Sequence, residues 1–328
     1  MSLKNNPILK SPKIKVGITI GDPSGIGPSI TLKAMQRLKG LADFVLIGDK
    51  WVLSKAMSSE LIAHSFKIID LNNVNHSSFT FGKVKAEYGR ASIEYLDCAL
   101  DLIKNKQIDC LVTCPISKEA INLAGYHYSG HTEYLAHNTG TKDFAMMLLN
   151  KELKFSLVSR HIPLKKVASI INARDFSMTV ALTYKSLQEM FSVRKPRIVI
   201  CGLNPHASDN GLIGGEENRI IRPVIKRLKK NLKADIDGPI SADIAIQKAK
   251  NHHYDAVVAM YHDQALIPLK LTGNDTGVNI TLGLPFVRTS PLHGTAFDIA
   301  RKPVLAGPDS LIEAIRVAIK CTTNLKKD

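Results

Sequence analysis

The chain has 328 residues, 45% hydrophobic and 22% charged, a composition typical of globular proteins with a buried core. No apolar run reaches the roughly 18 residues that a membrane-spanning helix needs, so a membrane protein is not expected. The formal net charge of +15 favours anionic partners, either nucleic acid or phosphorylated small molecules.

Short apolar runs alternate with amphipathic ones along the chain. The apolar runs predict strands at Lys15–Ile20, Phe44–Gly48, Phe66–Ile69, Cys110–Cys114, Ala145–Leu149, Phe155–Val158, Arg197–Gly202, Ala256–Tyr261 and Val278–Leu282. The amphipathic runs predict helices at Ser29–Leu38, Ala91–Lys104, Lys118–Ala124, Thr132–Asn138, Leu164–Ile171, Phe176–Phe191, Glu216–Leu232, Ala242–Asn251 and Leu311–Leu325. This alternation indicates an α/β fold with a largely parallel sheet, and the length suggests two lobes.

The N-terminus and the cysteines favour a cytoplasmic protein. The first 15 residues are basic but lack the long apolar region of a secretory signal, and we interpret the first dozen as a loose arm. The five cysteines are odd in number and form no C-x-x-C pair. This pattern fits reduced thiols better than disulfides or a cysteine-based zinc site.

The densest basic cluster, Arg222–Lys233, has helical spacing with apolar residues between its charges. A solvated helix face explains it better than a nucleic-acid surface, since the chain has no RNP-type aromatics or zinc-finger spacing. A basic nucleic-acid-binding protein therefore remains only the alternative from a different functional class.

Two glycine-containing turns precede predicted helices. The run GDPSGIGP, residues 21–28, follows the first strand but matches neither the dinucleotide fingerprint nor the P-loop, so a shaped active-site turn and a simple tight turn both fit. The run GHTEY, residues 130–134, places His131 and Thr132 at a helix start. There a hydroxyl and free N–H groups can bind an anion, although a plain helix cap explains the threonine equally well.

Three histidines, His161, His206 and His262, each follow a predicted strand. Carboxyl ends of parallel strands meet in one crevice, so these imidazoles could form the open three-ligand site of a catalytic metal. Taken singly, each histidine is more simply a hydrogen-bonded structural residue.

The segment from residue 260 to 298 carries the densest chemistry of the chain. It contains His262, Asp263, Lys270, Asn279, Arg288, His293 and Asp298, mostly beside a glycine, a proline or a strand end. Such a set, with an ammonium, an amide and a guanidinium, suits a small anionic substrate. A run of solvated loops is the competing interpretation, but VNITLGLPFV is too apolar to lie wholly in water.

Together these segments resemble the 4-hydroxythreonine-4-phosphate dehydrogenase family of pyridoxal-phosphate biosynthesis. The matching runs are GDPSGIGP, GHTEYLA, HIPL, GLNPHA, YHDQALIPLK and GVNITLGLPFVRTSPLHGTAFDIA, in the family's order between residues 17 and 300. The run HGTAFDIA also resembles the adenosine-binding loop of isocitrate and isopropylmalate dehydrogenases, which share the fold.

The resemblance implies a two-lobed isocitrate/isopropylmalate dehydrogenase-like α/β fold with the active-site cleft between the lobes. One lobe would comprise residues 1–127 plus 272–328 with the nucleotide-binding loop, and the other residues 128–271 with the metal ligands and dimer contacts. A homodimer would share its active sites, and a divalent metal (Zn²⁺ by preference, with Mg²⁺ or Co²⁺ as alternatives) would be held by His161, His206 and His262 drawn from both chains.

The resemblance also implies ligand contacts. Substrate would be bound by His131, Thr132, Lys270, Asn279 and Arg288. NAD or NADP would lie along a loop containing His293, Gly294, Thr295 and Asp298. The family places an acid at Asp243 near the reacting centre, and either Asp243 or Lys270 would be the base.

The implied reaction is oxidation of the C3 hydroxyl of 4-phosphooxy-L-threonine by hydride transfer to NAD, followed by loss of carbon dioxide. A phosphorylated four-carbon sugar acid such as a phosphothreonate stays open as substrate, because the same contacts serve both. The chain departs from the family at four places, which are Ser29, Ala265, Ser208–Asn210 and Arg301–Pro303. The last departure leaves the choice between NAD and NADP open.

Overall fold

The computed structural model describes residues 13–57, 66–273 and 276–327, and the predicted N-terminal arm lies outside these ranges. The strands are β1 to β11 in chain order, at Lys15–Thr19, Asp43–Gly48, Lys67–Asp70, Cys110–Thr113, Ala145–Leu149, Lys154–Leu157, Arg197–Cys201, Asp235–Ile240, Ala256–Ala259, Val278–Leu282 and Val287–Pro291. The helices are α1 to α11, at Gly27–Arg37, Lys50–Ala56, Ala86–Lys104, Lys118–Leu123, His131–Asn138, Val167–Ile170, Ala173–Glu189, Arg222–Leu232, Ala242–Lys250, His262–Gly273 and Asp309–Leu325.

The described strands form one 11-stranded sheet in the order β3-β2-β1-β4-β11-β10-β5-β6-β9-β7-β8. Most neighbours are parallel, and the three antiparallel pairs, β11–β10, β10–β5 and β5–β6, lie together in the middle. The predicted α/β class with a largely parallel sheet is therefore confirmed. Helices cover both faces, which explains why strands such as AVVA are buried throughout.

The buried apolar residues form separate clusters along the sheet. The largest buried cluster joins β1, β2, β4, β10 and β11 to helices α1, α3 and α11. Two other clusters pack around β6, β7 and β9. Strands β10 and β11 return from the C-terminal part of the chain to join β4, so the first group is discontinuous in sequence. The division into lobes at residues 127 and 271 stays a prediction.

Two elements that bear on the site were not predicted. Helix α10 spans His262–Gly273 although it contains Pro268, and strand β11 spans Val287–Pro291. The expectation that polar residues of this segment lie in loops or at strand ends was wrong for Lys270, inside α10, and for Arg288, inside β11. Helix α2 and strand β8 were also missed, but they lie away from these residues.

Helix α8 buries Val224, Ile225 and Leu228. Its basic residues Lys226, Arg227, Lys229 and Lys230 are exposed. This is the solvated surface helix that the spacing indicated. Across the described ranges, the helices are all too short or too polar to cross a membrane.

Candidate active site

A cavity of about 400 Å³ opens beside the middle strands of the sheet. Its walls come from the segment after β4, the start of α5, the loop after β6, helix α10, and strands β5, β10 and β11. Ten of its lining residues carry the polar chemistry: Lys118, His131, Thr132, Glu133, His161, His262, Lys270, Asn279, Arg288 and His293. Every substrate residue predicted from the sequence therefore lines one cavity.

The sheet register sets the floor of this cavity. Asn279 on β10 pairs with Leu148 on β5 and with Ser290 on β11, and residues that pair across strands point to the same face. Arg288 lies two residues before Ser290 on β11 and therefore shares that face. All four side chains line the cavity. A one-residue slip of β11 would turn the guanidinium to the opposite face.

Arg288 is 1% exposed and lies in a cage of threonines. Its Nε and Nη2 both donate to Thr113 Oγ1, at 3.2 and 2.7 Å, and its Nη1 donates to Thr281 Oγ1 at 3.1 Å and Thr132 Oγ1 at 3.4 Å. Burial lowers its pKa to about 10, and Glu133 partly offsets this effect.

Within the described residues, Arg288 has no carboxylate within ion-pair distance. Burying a cation without a counter-charge costs desolvation free energy, and an anionic ligand would offset that cost. The guanidinium thus suits the cavity to an anionic ligand.

Three buried polar atoms of the cavity have no hydrogen-bond partner in the described structure: His131 Nε2, Asn279 Oδ1 and His293 Nε2. Burial holds the pKa of His131 well below its usual range, with nearby Arg288 as a second cause, so this imidazole is neutral near pH 7. Buried polar groups are nearly always paired in folded proteins. Three unpaired atoms around one cavity indicate a polar ligand.

Helix α10 presents one functional face to the cavity. His262, Leu266 and Lys270 are spaced by four residues and all three line it. The ring of His161, from the loop after β6, has its centre 5.3 Å from that of His262. Imidazoles bound to one tetrahedral zinc have ring centres roughly 5 Å apart, given zinc–nitrogen bonds of about 2.0–2.1 Å. This pair could therefore supply two ligands to one divalent ion.

The third predicted metal ligand, His206, does not line the main cavity. His206 and Asp243 line a separate cavity of about 340 Å³ together with Tyr261 and Gln264. Strands β6, β9 and β7 are parallel neighbours, as the histidine pattern suggested. Even so, the described residues form no cluster of three or more His, Cys, Asp or Glu side chains that could hold a metal.

The backbone around His206 is strained. His206, Ala207, Ser208, Asp209 and Asn210 all have left-handed φ values, between 40° and 72°. Left-handed conformations cost non-glycine residues roughly 1–2 kcal/mol each. The side chains of Glu216 and Glu217 accept hydrogen bonds from the Asn204 side chain at 2.9 Å, which fixes the entry to this turn. Strain of this kind persists where the surroundings impose it, often at functional sites.

A second cavity, of about 620 Å³, adjoins the first. Both are lined by Lys270, Leu292, His293 and Gly294. The rest of the second cavity is mostly apolar, with Ile26, Ala296, Ile299, Leu305 and Ala306. Of the predicted cofactor residues, His293 and Gly294 line it, whereas Asp298 is exposed and lines neither cavity.

The GDPSGIGP turn supports the loop that holds His293. Ile26 N donates to Thr295 O at 3.0 Å, and a Cβ at Gly25 would lie 3.0 Å from the same oxygen. Glycine at position 25 thus permits direct backbone packing between the turn and the loop. The turn therefore supports the loop that contains His293, and their backbones are in contact at Thr295.

Sequence reasoning missed several residues of the site. Thr113 and Thr281 hold Arg288, and Lys118 and Glu133 line the main cavity. The only sequence signal for Lys118 was its place just after a buried strand, at the start of a helix. Nothing in the sequence pairs Thr113 with Arg288, because the contact spans 175 positions.

Comparison with known proteins matches residues 40–318 to the family model described as pyridoxal phosphate biosynthetic protein PdxA. The chain belongs to the PdxA family. It is 45% identical over 318 residues to a 4-hydroxythreonine-4-phosphate dehydrogenase of Sulfurihydrogenibium sp., covering 93% of this chain and 98% of that one.

Two further relatives bear on the reaction. The chain is 40% identical over 304 residues to a D-threonate 4-phosphate dehydrogenase of Salmonella typhimurium, covering 87% of this chain and 92% of that protein. It resembles a crystal structure of 4-hydroxythreonine-4-phosphate dehydrogenase from Klebsiella pneumoniae with a TM-score of 0.85 and 34% identity, covering 96% and 99% of the two chains. This PdxA-family chain is accordingly an oxidoreductase, as the sequence predicted.

The four departures from the family occupy distinct places. Ser29 is buried and its Oγ donates to Ile26 O at 2.9 Å, while Ala265 is a buried residue of α10 that packs in the core. Ser208 lies in the left-handed turn, where glycine would relieve strain. Arg301 does not line the second cavity, and its Nε donates to Phe81 O at 3.0 Å. None of the four lines the main cavity.

Asp22, in the GDPSGIGP turn, is fully buried. Its Oδ1 accepts from Ser24 N at 2.9 Å, and its Oδ2 has no partner among the described residues. Burial raises the pKa of this carboxyl to about 7, against a smaller lowering by the Ser24 hydrogen bond. The turn therefore holds a carboxyl that is largely protonated just below neutral pH.

We predict that Asp22→Asn changes the pH dependence of stability. Between about pH 4 and pH 7 the folded wild type keeps a proton that the unfolded chain has lost, so its stability falls as pH rises through this window. Asparagine cannot ionise, and its advantage over aspartate should grow to roughly 1–4 kcal/mol by pH 8. Denaturant unfolding at pH 5 and pH 8 measures this, with the exposed Asp43→Asn as control. An equal difference from wild type at both pH values would contradict the buried-acid assignment.

Proposed function

We propose that the chain catalyses NAD-dependent oxidative decarboxylation of 4-phosphooxy-L-threonine to 3-amino-2-oxopropyl phosphate and carbon dioxide, a step of pyridoxal 5′-phosphate biosynthesis. The observation that carries the proposal is the buried, uncompensated guanidinium of Arg288 in a cavity with three unpaired polar atoms. The names of the relatives support the substrate, since 4-hydroxythreonine-4-phosphate dehydrogenases recur among them.

The substrate's two anionic groups suit the cations of the cavity. Arg288 and Lys270 neutralise phosphate and carboxylate, and the start of α5 at His131 and Thr132 adds a helix N-terminus. Neutral His131 and the free Oδ1 of Asn279 can position the amino and hydroxyl groups. Because His131 carries no charge, it adds a hydrogen bond without repelling Arg288.

The donor set fits a divalent metal. The ring centres of His161 and His262 are as far apart as those of two imidazoles bound to one ion. Imidazole binds Zn²⁺, Co²⁺ and other divalent ions. We propose Zn²⁺, with Mg²⁺ or Co²⁺ as substitutes. When bound, the ion would supply a Lewis acid next to the substrate hydroxyl and the later carbonyl oxygen. Burial lowers the pKa of His161, which favours the neutral form that binds metal.

The second cavity fits a dinucleotide. Its volume of about 620 Å³, its apolar walls and the unpaired His293 Nε2 suit a ring and a ribose–phosphate chain. We propose that NAD or NADP lies there against His293 and Gly294, where its nicotinamide would supply the hydride acceptor. The four residues common to both cavities would bring substrate and nicotinamide side by side.

The chain's own groups then bind, orient and exchange protons. Lys270 reaches both cavities, so it can hold the carboxylate or take the C3 hydroxyl proton. Asp243 lies in the cavity of His206 and could serve as base or acid only from a second copy of the chain. Leu148, Leu266 and Leu292 line the main cavity and exclude water from the reacting carbon.

We propose a homodimer in which a second copy supplies His206 and Asp243. Exposed leucines and isoleucines occur close in sequence to each predicted metal ligand. Leu164 follows His161 and is 71% exposed, Leu212 follows His206 and is 89% exposed, and Leu271 on α10 is 83% exposed. Apolar surface of this kind is typical of a covered interface.

Mixed dimers test this arrangement. A His206→Ala chain keeps His161 and His262, and a His262→Ala chain keeps His206, so a hybrid contains one complete site if His206 acts across the interface. We expect each variant alone to be inactive and the mixture, after subunit exchange, to recover part of the activity. The exposed His253→Ala serves as the control variant and should stay active. A mixture that remains inactive, with exchange shown by a tag, would reject the shared site.

A phosphorylated sugar acid is the second candidate substrate. The D-threonate 4-phosphate dehydrogenase of Salmonella typhimurium is 40% identical to this chain, close to the 45% of the first relative. A hydroxyl in place of the amino group would use the same phosphate and carboxylate contacts. The two substrates differ mainly at the group that meets His131 or Asn279.

The deciding experiment measures NADH formation from 4-phosphooxy-L-threonine and from D-threonate 4-phosphate, with carbon dioxide release. We expect the first to give the higher kcat/KM and an equal yield of NADH and carbon dioxide. Chelation should stop turnover, and Zn²⁺, Co²⁺ or Mg²⁺ should restore it. A higher kcat/KM for the threonate would replace the first proposal by the second, and no NADH from either would refute both.

A further inference from the structure

The second cavity has two chemically different ends. Lys270, Leu292, His293 and Gly294 also line the main cavity and mark the end where a nicotinamide would meet the substrate. The other end is formed by the loop after residue 304 and the first turn of α11. A dinucleotide with its reactive ring at the shared end therefore places its adenosine half against this loop and helix.

Two charged side chains line this cavity in the described structure, Lys270 at the shared end and Asp309 at the far end. Oδ1 of Asp309 pairs with Arg37 Nη1 at 2.8 Å. Its Oδ2 lies near Gly307, another residue of the cavity lining, since a Cβ built on that glycine would be 3.8 Å from this oxygen. The far end thus presents a carboxylate oxygen that can accept hydrogen bonds.

Three basic residues near this end, Lys33, Arg301 and Arg37, are held in other contacts. Lys33 Nζ donates to Pro303 O at 2.6 Å and to Ala306 O at 2.7 Å, which fixes the loop. Arg301 donates to Phe81 O, and Arg37 is paired with Asp309. Asp309 also occupies the first turn of α11, the position where a helix favours negative charge. A second anion at this place would meet the Asp309 carboxylate, whereas the lysine of the cavity lining, Lys270, lies at the shared end.

We propose that Asp309 accepts hydrogen bonds from the adenosine ribose hydroxyls and makes the enzyme prefer NAD to NADP. Carboxylates that accept from ribose hydroxyls are a general means of NAD recognition, and a 2′-phosphate would meet like-charge repulsion. This inference rests on the proposed function, because it takes the second cavity as the dinucleotide site. It assigns the discrimination to Asp309 rather than to Asp298, which lines neither cavity.

Equilibrium binding of NADH and NADPH, followed by nicotinamide fluorescence and calorimetry, tests the proposal without turnover. Wild type should bind NADH more tightly. Asp309→Asn, which keeps the shape of the side chain, should shift the ratio of the two dissociation constants about tenfold toward NADPH. Asp309→Ser should shift it in the same direction. Arg37→Gln should shift it the other way, because it removes the cation that offsets the carboxylate.

Two matched variants complete the test. Arg316→Gln removes an exposed arginine from the same helix and should leave both constants unchanged. Asp298→Asn should change the ratio less than Asp309→Asn does. An unchanged ratio in both Asp309 variants that still bind NADH overturns this inference alone. Failure of the wild type to bind either dinucleotide overturns the proposed cofactor and this inference together.

Discussion

The site depends on one buried charge, the guanidinium of Arg288 inside the sheet. Threonines from three elements hold it: Thr113 on β4, Thr132 on α5 and Thr281 on β10. Neutral hydroxyls accept hydrogen bonds from four of its five N–H groups without neutralising it, so the cost of desolvation remains until an anion binds. A carboxylate in the cage would lower that cost but would also compete with the substrate.

The mixed middle of the sheet is what makes this cage possible. Strand β11 runs parallel to β4 and antiparallel to β10, so Arg288 lies between a strand 175 positions away on one side and the preceding strand of the chain on the other. The same register turns Asn279 and Ser290 toward the cavity. Helix α10 then supplies His262 and Lys270 from the opposite half of the sheet. The residues proposed to bind the anion, the metal and the dinucleotide are thus brought together by strand pairing rather than by one continuous motif.

Sequence reasoning predicted the fold class and most strands, because buried parallel strands are uninterrupted apolar runs. It also selected residues that proved to line one cavity, such as His131 and Arg288. It did not predict α10, whose Pro268 and apolar content mask helical periodicity, or β11, which ends in proline. It could not predict the left-handed turn at His206, nor that His206 lines a different cavity from His262 within one chain. Both features depend on tertiary packing.

Calorimetric titration of 4-phosphooxy-L-threonine into wild type and Arg288→Lys tests most directly whether this buried guanidinium selects the substrate. Lysine keeps the charge but loses the planar fork, and lost charge-assisted hydrogen bonds of this kind cost roughly 1.5–3 kcal/mol. We predict about ten- to a hundredfold weaker binding in the variant, with unchanged NADH binding in the second cavity as proof of an intact fold. Equal affinity of the two proteins for the phosphorylated substrate would contradict it.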